Sequence, residues 1–171
     1  MGIRIIIMLL LSLSCTMTMG QTQTRFIDKV VGDINMGTGT KCDGLTPIES
    51  SVNLGYRFIP KMYAFVQAGR MYGLYDKNHG ESYAKSSDLG GGLGYNFCRT
   101  DDGLLELDLR AAAKAGIGSD SWKHVTYDAA LIGRIGRSIK INIGIGFRHV
   151  SSRTAGIGSY NGLFCTLGFG L

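Results

Sequence analysis

The stretch from Ser138 to His149 alternates between large apolar residues and polar or small ones. Alternation with a period of two predicts a β-strand whose two faces meet different surroundings. Lys140 and Arg148 share their face with glycines, which indicates a narrow polar interior. This pattern is typical of a transmembrane β-barrel strand, apolar toward lipid and polar toward the lumen. The predicted lipid-facing residues are Ile139, Ile141, Ile143, Ile145 and Phe147.

The same alternation recurs along the chain and predicts eight strands. The segments between them alternate between longer and shorter, as in barrels whose short turns and long loops lie on opposite sides of the membrane. The number of strands, the alternating faces and the alternating connection lengths therefore indicate the same fold. They predict an all-β fold, an eight-stranded antiparallel up-and-down transmembrane barrel. The predicted strands cover residues 25–39, 48–59, 62–72, 87–97, 104–114, 122–135, 138–149 and 162–171.

Aromatic residues near strand ends indicate where the barrel meets the membrane surface. The segments VNLGYRF and GGLGYNF are similar in sequence and form a weak internal repeat. We therefore expect both strands to run in the same direction and to place their Tyr and Phe at the same interface. Trp122 and Tyr127 are expected to act as interfacial anchors as well.

The N-terminus has the features of a secretory signal peptide. Arg4 precedes the apolar run Ile5–Leu11, and small and polar residues follow up to Gln21. We predict a signal peptide over residues 1–20 and an outer-membrane β-barrel over 21–171. The alternative to this signal peptide is that of a lipoprotein, in which Cys15 carries the lipid. No later segment has the ~20 consecutive apolar residues that a membrane-spanning helix needs.

An eight-stranded barrel has an interior that side chains fill, so charged residues facing it must pair with one another. Both faces of the third strand are partly apolar, and there we expect Arg70 to point inward and Tyr63 and Phe65 outward. A network of lumenal ion pairs is predicted instead of an open porin-like channel. Its expected members are Glu49, Arg57, Asp88, Glu106, Asp108, Arg110, Lys114, Asp128, Arg134, Lys140 and Arg148.

Charge and cysteine content narrow the classes of function. The 18 Lys and Arg residues exceed the 13 Asp and Glu residues only slightly and form no block, so nucleic-acid binding is not expected. Cys42 and Cys98 are predicted to lie at opposite barrel ends, and Cys165 is predicted on an apolar face. We therefore predict no intramolecular disulfide.

Over residues 25–171 the chain resembles the small outer-membrane β-barrel proteins of Gram-negative bacteria. The resemblance depends on the signal peptide, the GYRF and GYNF strand ends and a C-terminal strand with Phe169, although the chain ends Phe169-Gly170-Leu171 and not on an aromatic residue. It implies a monomer in the bacterial outer membrane that contacts outer-membrane lipid and lipopolysaccharide. It also implies insertion by the barrel assembly machinery. The expected role is structural or surface interaction without enzymatic activity; a soluble exported β-sandwich remains an alternative.

One segment, Arg148-His149-Val150-Ser151-Ser152, resembles the lipid A 3-O-deacylase barrels, as do Ala155-Gly156 and Asn161-Gly162 further on. The resemblance implies a serine nucleophile at Ser151, a base at His149 and an orienting Glu on the last strand. The predicted last strand has no carboxylate. We therefore expect neither a carboxylate nor an amide beside the far ring nitrogen of His149, and we favour ordinary polar residues over a catalytic pair.

The loop residues Asp76, His79 and Glu81 lack the spacing of a metal site, so no metal and no cofactor are predicted. Basic residues predicted in loops are expected to contact the phosphates of lipopolysaccharide. These residues are Lys41, Lys77, Lys85 and Arg153.

Overall fold

The β-sheet of this protein closes on itself into a barrel. The computed structural model describes residues 29–41, 44–75 and 83–171. Each strand neighbours the next in sequence order, and the first pairs with the last in antiparallel register. The predicted eight-stranded barrel is confirmed, and the β-sandwich alternative is wrong because one sheet forms the whole wall. The strands are β1 (Val30–Gly39), β2 (Leu45–Ile59), β3 (Met62–Tyr75), β4 (Tyr83–Arg99), β5 (Leu105–Ile117), β6 (His124–Ile135), β7 (Lys140–Ser152) and β8 (Tyr160–Gly170).

Several strands are longer than predicted. The polar sequence that we expected to connect the third and fourth strands contributes residues to both, because their pairing continues up to Leu74 and Tyr83. Cys98 lies in β4 and not in the turn that follows. The predicted signal peptide, Cys42 and the Asp76, His79 and Glu81 group lie outside the described residues.

The two ends of the barrel differ in their connections. At one end, here called the loop end, strands are joined through residues 40–44, 76–82, 118–123 and 153–159. At the other end, the turn end, they are joined through residues 60–61, 100–104 and 136–139, segments of two to five residues against five to seven at the loop end. The predicted alternation of connection lengths is confirmed. Among the described residues, no helix is long and apolar enough to cross a membrane.

The outer face of the barrel is apolar on every strand. Its side chains remain exposed although they are large; Ile143, for example, is 56% exposed. A continuous belt of this kind is costly in water and is the lipid-facing surface of a transmembrane barrel. Residues that represent the belt on β1 to β8 in turn are Ile34, Val52, Val66, Leu93, Leu109, Leu131, Ile143 and Leu167.

Aromatic side chains lie on the outer face near the turn end of β2 and β4. Tyr56 and Phe58 on β2 and Tyr95 and Phe97 on β4 are all exposed. Both strands run from the loop end to the turn end. The prediction that the two similar segments run in the same direction is confirmed, and both place their Tyr and Phe at the same end of the barrel.

The predicted orientation of β3 is wrong. Tyr63 and Phe65 are buried in the lumen, whereas Arg70 is exposed on the outer face. The reason lies on the neighbouring strand, where Gly94 pairs with Tyr63 and Gly92 pairs with Phe65. A Cβ at Gly94 would lie 2.1 Å from Cζ of Tyr63. The glycines of β4 therefore make room for the two rings inside the barrel.

The predicted interfacial position of Trp122 is also wrong. Its side chain is fully buried in an apolar cluster inside the loop end, together with Leu45, Met71 and Val150. Tyr127 is exposed on the outer face, as expected for an interfacial residue. Strand β6 begins only at His124, so Trp122 lies in the preceding connection and folds inward over the lumen.

Candidate functional site

The lumen contains two ion-pair networks and an apolar cluster, stacked along the barrel axis. The network nearer the turn end is organised around Asp33 on β1. Its carboxylate lies 2.5 Å from Arg110 on β5 and 3.2 Å from Arg134 on β6, and it accepts a 3.0 Å hydrogen bond from the amide of Asn142. Because Arg110 comes from the wall opposite β1, the network connects strands across the interior of the barrel.

Two further acids complete this network. Asp108 lies 3.3 Å from Arg134 and accepts hydrogen bonds of 2.7 Å from both Tyr63 and Asn96. Glu106 lies 2.7 Å from Lys140. The acids Asp33, Glu106 and Asp108 thus balance the bases Arg110, Arg134 and Lys140, as burial of so many charges requires.

Tyr63 connects the acids and bases of this network. Its hydroxyl donates to Asp108 and accepts a 2.6 Å hydrogen bond from Nε of Arg110. The Arg110 guanidinium also lies over the Phe65 ring, 5.3 Å from its centroid. The inward position of the two aromatic residues, which sequence reasoning missed, therefore supplies part of the polar network.

The second network lies nearer the loop end and contains two acids and two bases. Glu49 pairs with Lys114 and, at 2.7 Å, with Arg148. Asp128 accepts two hydrogen bonds from the Arg148 guanidinium, of 2.7 and 2.8 Å. This fork geometry is the strong form of an arginine–carboxylate pair.

A small cavity lies between the two networks. Its volume is about 50 Å³, and its wall includes Arg110 from one network and Glu49, Asp128 and Arg148 from the other. A cavity of this size holds a few water molecules and no larger ligand. The Arg148 guanidinium lies 4.4 Å from the ring centroid of Phe164, which closes one side.

Above the second network, an acid and a histidine meet beneath the apolar cluster. Nε2 of His124 lies 3.5 Å from Asp88, which also accepts a 2.6 Å hydrogen bond from Ser86. The Trp122 ring packs on His124 with 4.8 Å between ring centroids. The cluster of Leu45, Met71, Ala84, Trp122, Val150 and Tyr160 then covers this pair from the loop end.

Most of the predicted lumenal residues take part in these contacts. Arg57 is the exception: it faces inward but has no acidic partner within 4 Å in the described ranges. Sequence reasoning left out Asp33, although its alternation with Ile34 places it on the inner face of β1. It also left out His124, which shares the inner face of β6 with Asp128.

Outside the lumen, His149 lies on the outer face of β7 at the loop end. Its Nδ1 lies 2.7 Å from Oδ1 of Asn161, its partner across the β7–β8 pair, and its ring stacks on Tyr127 with 6.2 Å between centroids. The expectation that no amide lies beside this ring is therefore wrong. Asn161 belongs to β8 because that strand begins at Tyr160, earlier than predicted.

Ser151 follows two residues after His149 on the same face. No hydrogen bond joins its hydroxyl to the His149 ring in the part of the chain that the structure describes. An amide oxygen that accepts from Nδ1 leaves Nε2 as the acceptor nitrogen, which is the form that a general base needs. The arrangement therefore contains an imidazole held by an amide and a serine two residues along the same strand face. Among the described residues, no group of three or more His, Cys, Asp or Glu side chains is arranged to hold a metal ion.

Comparison with the solved structure of another eight-stranded barrel supports the fold. A crystal structure of Neisserial surface protein A matches with a TM-score of 0.50 and 16% sequence identity, over 82% of this chain and 92% of that one. A solution NMR structure of the de novo designed TMB2.3 matches with a TM-score of 0.43 and 16% identity, over 83% of this chain and 93% of that one. No family model matches the chain, and no curated protein matches it in sequence.

Proposed function

We propose that this protein is a sealed, non-conducting barrel of the outer membrane of Gram-negative bacteria, with a structural or surface-interaction role. The observation that carries the proposal is the filled lumen, in which two networks and the Trp122 cluster follow one another along the axis. A solute that crossed the barrel would have to displace these buried salt bridges and the apolar cluster. The loops, not the interior, are then the parts that meet other molecules.

The orientation follows from the connections. Outer-membrane barrels place short turns in the periplasm and longer loops outside. The loop end of this protein would accordingly face the exterior. The barrel assembly machinery would insert a monomer, and no cofactor takes part.

Planar-bilayer recording tests the sealed lumen. The refolded mature chain should show no single-channel conductance, whereas a porin recorded in the same bilayers conducts. Stable openings of the wild-type protein would contradict the proposal.

Cysteine labelling in intact cells tests location and orientation. In a chain whose native cysteines are replaced by alanine, Ser159→Cys in the loop end should react with a membrane-impermeant maleimide. Arg137→Cys at the turn end should react only after the outer membrane is permeabilised. Equal labelling of both positions would overturn the proposed topology.

The contact between His149 and Asn161 favours a second candidate, a lipid A deacylase-like esterase. In this candidate Ser151 attacks the ester carbonyl while His149 accepts the hydroxyl proton, and Asn161 positions the imidazole. His149 then gives this proton to the departing alcohol oxygen, and a water molecule hydrolyses the acyl-serine bond, which releases the fatty acid and restores Ser151. The outward, membrane-edge location lets an ester of a membrane lipid reach both groups.

Mass spectrometry of lipid A from cells with and without the protein separates the two candidates. An esterase releases an acyl chain, and Ser151→Ala abolishes this release while the barrel still inserts. Ser159→Ala, in the neighbouring connection, is the matched control. Unchanged lipid A in cells that express the wild-type protein excludes the esterase.

A further inference from the structure

A basic patch lies on the outer face of β3 and β4 near the loop end. Arg70 on β3 pairs with Ser50 on β2 and with Ser87 on β4. Lys85 is the next outer residue of β4 toward the loop end. Arg70, Lys85 and Ser50 are exposed. These four residues, Ser50, Arg70, Lys85 and Ser87, are called the β3–β4 patch below.

The patch sits at the edge of the apolar belt. The next outer residues toward the turn end on the three strands are Val52, Ala68 and Leu89. An arginine on the lipid face is costly at the bilayer midplane and costs little near the interface. We therefore expect Arg70 to lie at the height where lipid headgroups begin. The rings of Tyr72 and Tyr83, 6.4 Å apart, lie just beyond it.

The chain neutralises the patch only in part. Asp120, from the connection between β5 and β6, is hydrogen-bonded by Ser87 and lies near Lys85 and Arg70, and these contacts lower its pKa. Neither Arg70 nor Lys85 has an acidic group within 4 Å among the residues described. Among the described residues, these two cations and one carboxylate give the patch a net positive charge.

We propose that the β3–β4 patch binds a phosphate group of lipopolysaccharide. The inference rests on the proposed function, because it requires the loop end to face the outer leaflet. Arg70 offers a planar fork of donors that matches phosphate, Lys85 adds a second charge, and the two serine hydroxyls can donate hydrogen bonds. The acyl chains of the same lipid would lie along the apolar belt below Arg70.

Native mass spectrometry of the refolded mature protein, titrated with bisphosphorylated lipid A in zwitterionic detergent, tests the proposal. A basic residue near a membrane surface contributes about fivefold in affinity, so the double variant Arg70→Gln/Lys85→Gln should bind about 25-fold more weakly. The matched control Lys61→Gln/Arg137→Gln removes two exposed charges at the turn end and should bind like the wild type. Asp120→Asn removes the competing carboxylate and should bind more tightly.

Three results would overturn the proposal: equal weakening in both double variants, undiminished binding of dephosphorylated lipid A, or equal affinity for phosphatidylglycerol. The last would indicate a general preference for anionic lipid. Heat-modifiable gel migration verifies that each variant is folded. A sealed lumen and an outward loop end are measured independently, so failure here leaves the proposed function intact.

Discussion

Oδ2 of Asp33 on β1 accepts a 2.5 Å hydrogen bond from the guanidinium of Arg110 on β5. The two strands lie on opposite walls, because β5 is the fourth strand from β1 in either direction around the eight-stranded barrel. The pair therefore spans the lumen. Most charged groups on the inner faces of the strands pair with one another in this interior, so the apolar belt outside does not have to accommodate them.

Asp33→Asn should destabilise the barrel strongly. It leaves the buried guanidinium groups of Arg110 and Arg134 without their shared carboxylate, and removing one partner of a buried ion pair costs about 3–5 kcal/mol. Urea unfolding of the protein in lipid vesicles measures the effect. Asp101→Asn, in an exposed turn, should change the free energy of unfolding by less than about 0.5 kcal/mol. Similar stability of the two variants would show that Asp33 does not organise the network.

Gly94→Ala should destabilise the protein by overpacking. The new Cβ would lie 2.1 Å from the Tyr63 ring, which hydrogen bonds hold in place. Forcing extra volume into a packed interior costs about 1–3 kcal/mol. Gly133→Ala is the control, since its nearest neighbour atom is 3.6 Å away. Equal unfolding midpoints for the two variants would mean that the lumen can accommodate the methyl group.

Fluorescence can verify the inward position of Trp122, the single tryptophan of the sequence. Because its ring is buried inside the barrel, brominated lipids in the bilayer should not quench its emission. In Trp122→Phe/Tyr127→Trp the indole moves to the outer face, and strong quenching is expected. Strong quenching of the wild type would place Trp122 at the lipid interface after all.

Ile143→Arg should impair membrane insertion. Ile143 lies in the middle of the lipid-facing row of β7, where an arginine costs about 2–4 kcal/mol. Ile139→Arg, at the turn end of the same row, should cost about 0–1 kcal/mol. Folded yields in vesicles, read from heat-modifiable migration, compare the two. Labelling of Ile143→Cys by a water-soluble maleimide in membranes would contradict the orientation of β7.

Much of the architecture can be predicted from short segments of the sequence. The alternation of Ile141, Asn142 and Ile143 places neighbouring side chains on opposite faces whatever the strand pairs with. Eight such segments with alternating connections suffice to predict the barrel. The same alternation placed most of the lumenal ion pairs on the inner face, since a charge cannot remain in the apolar belt without a high cost.

Contacts between strands were decided only by the tertiary structure. Both faces of β3 are partly apolar, so its own sequence does not orient it; the glycines of β4 decide that Tyr63 and Phe65 point inward. Trp122 is buried because the connection before β6 folds over the lumen.

The partner of His149 is Asn161 because the register of β7 with β8 brings the two side chains together. Asp33 meets Arg110 only because the first and last strands close the sheet. The alternation of side chains within a strand depends only on neighbouring residues in the sequence. The two contacts, in contrast, depend on the register between strands and on the closure of the sheet. Both are properties of the whole sheet and not of any one segment.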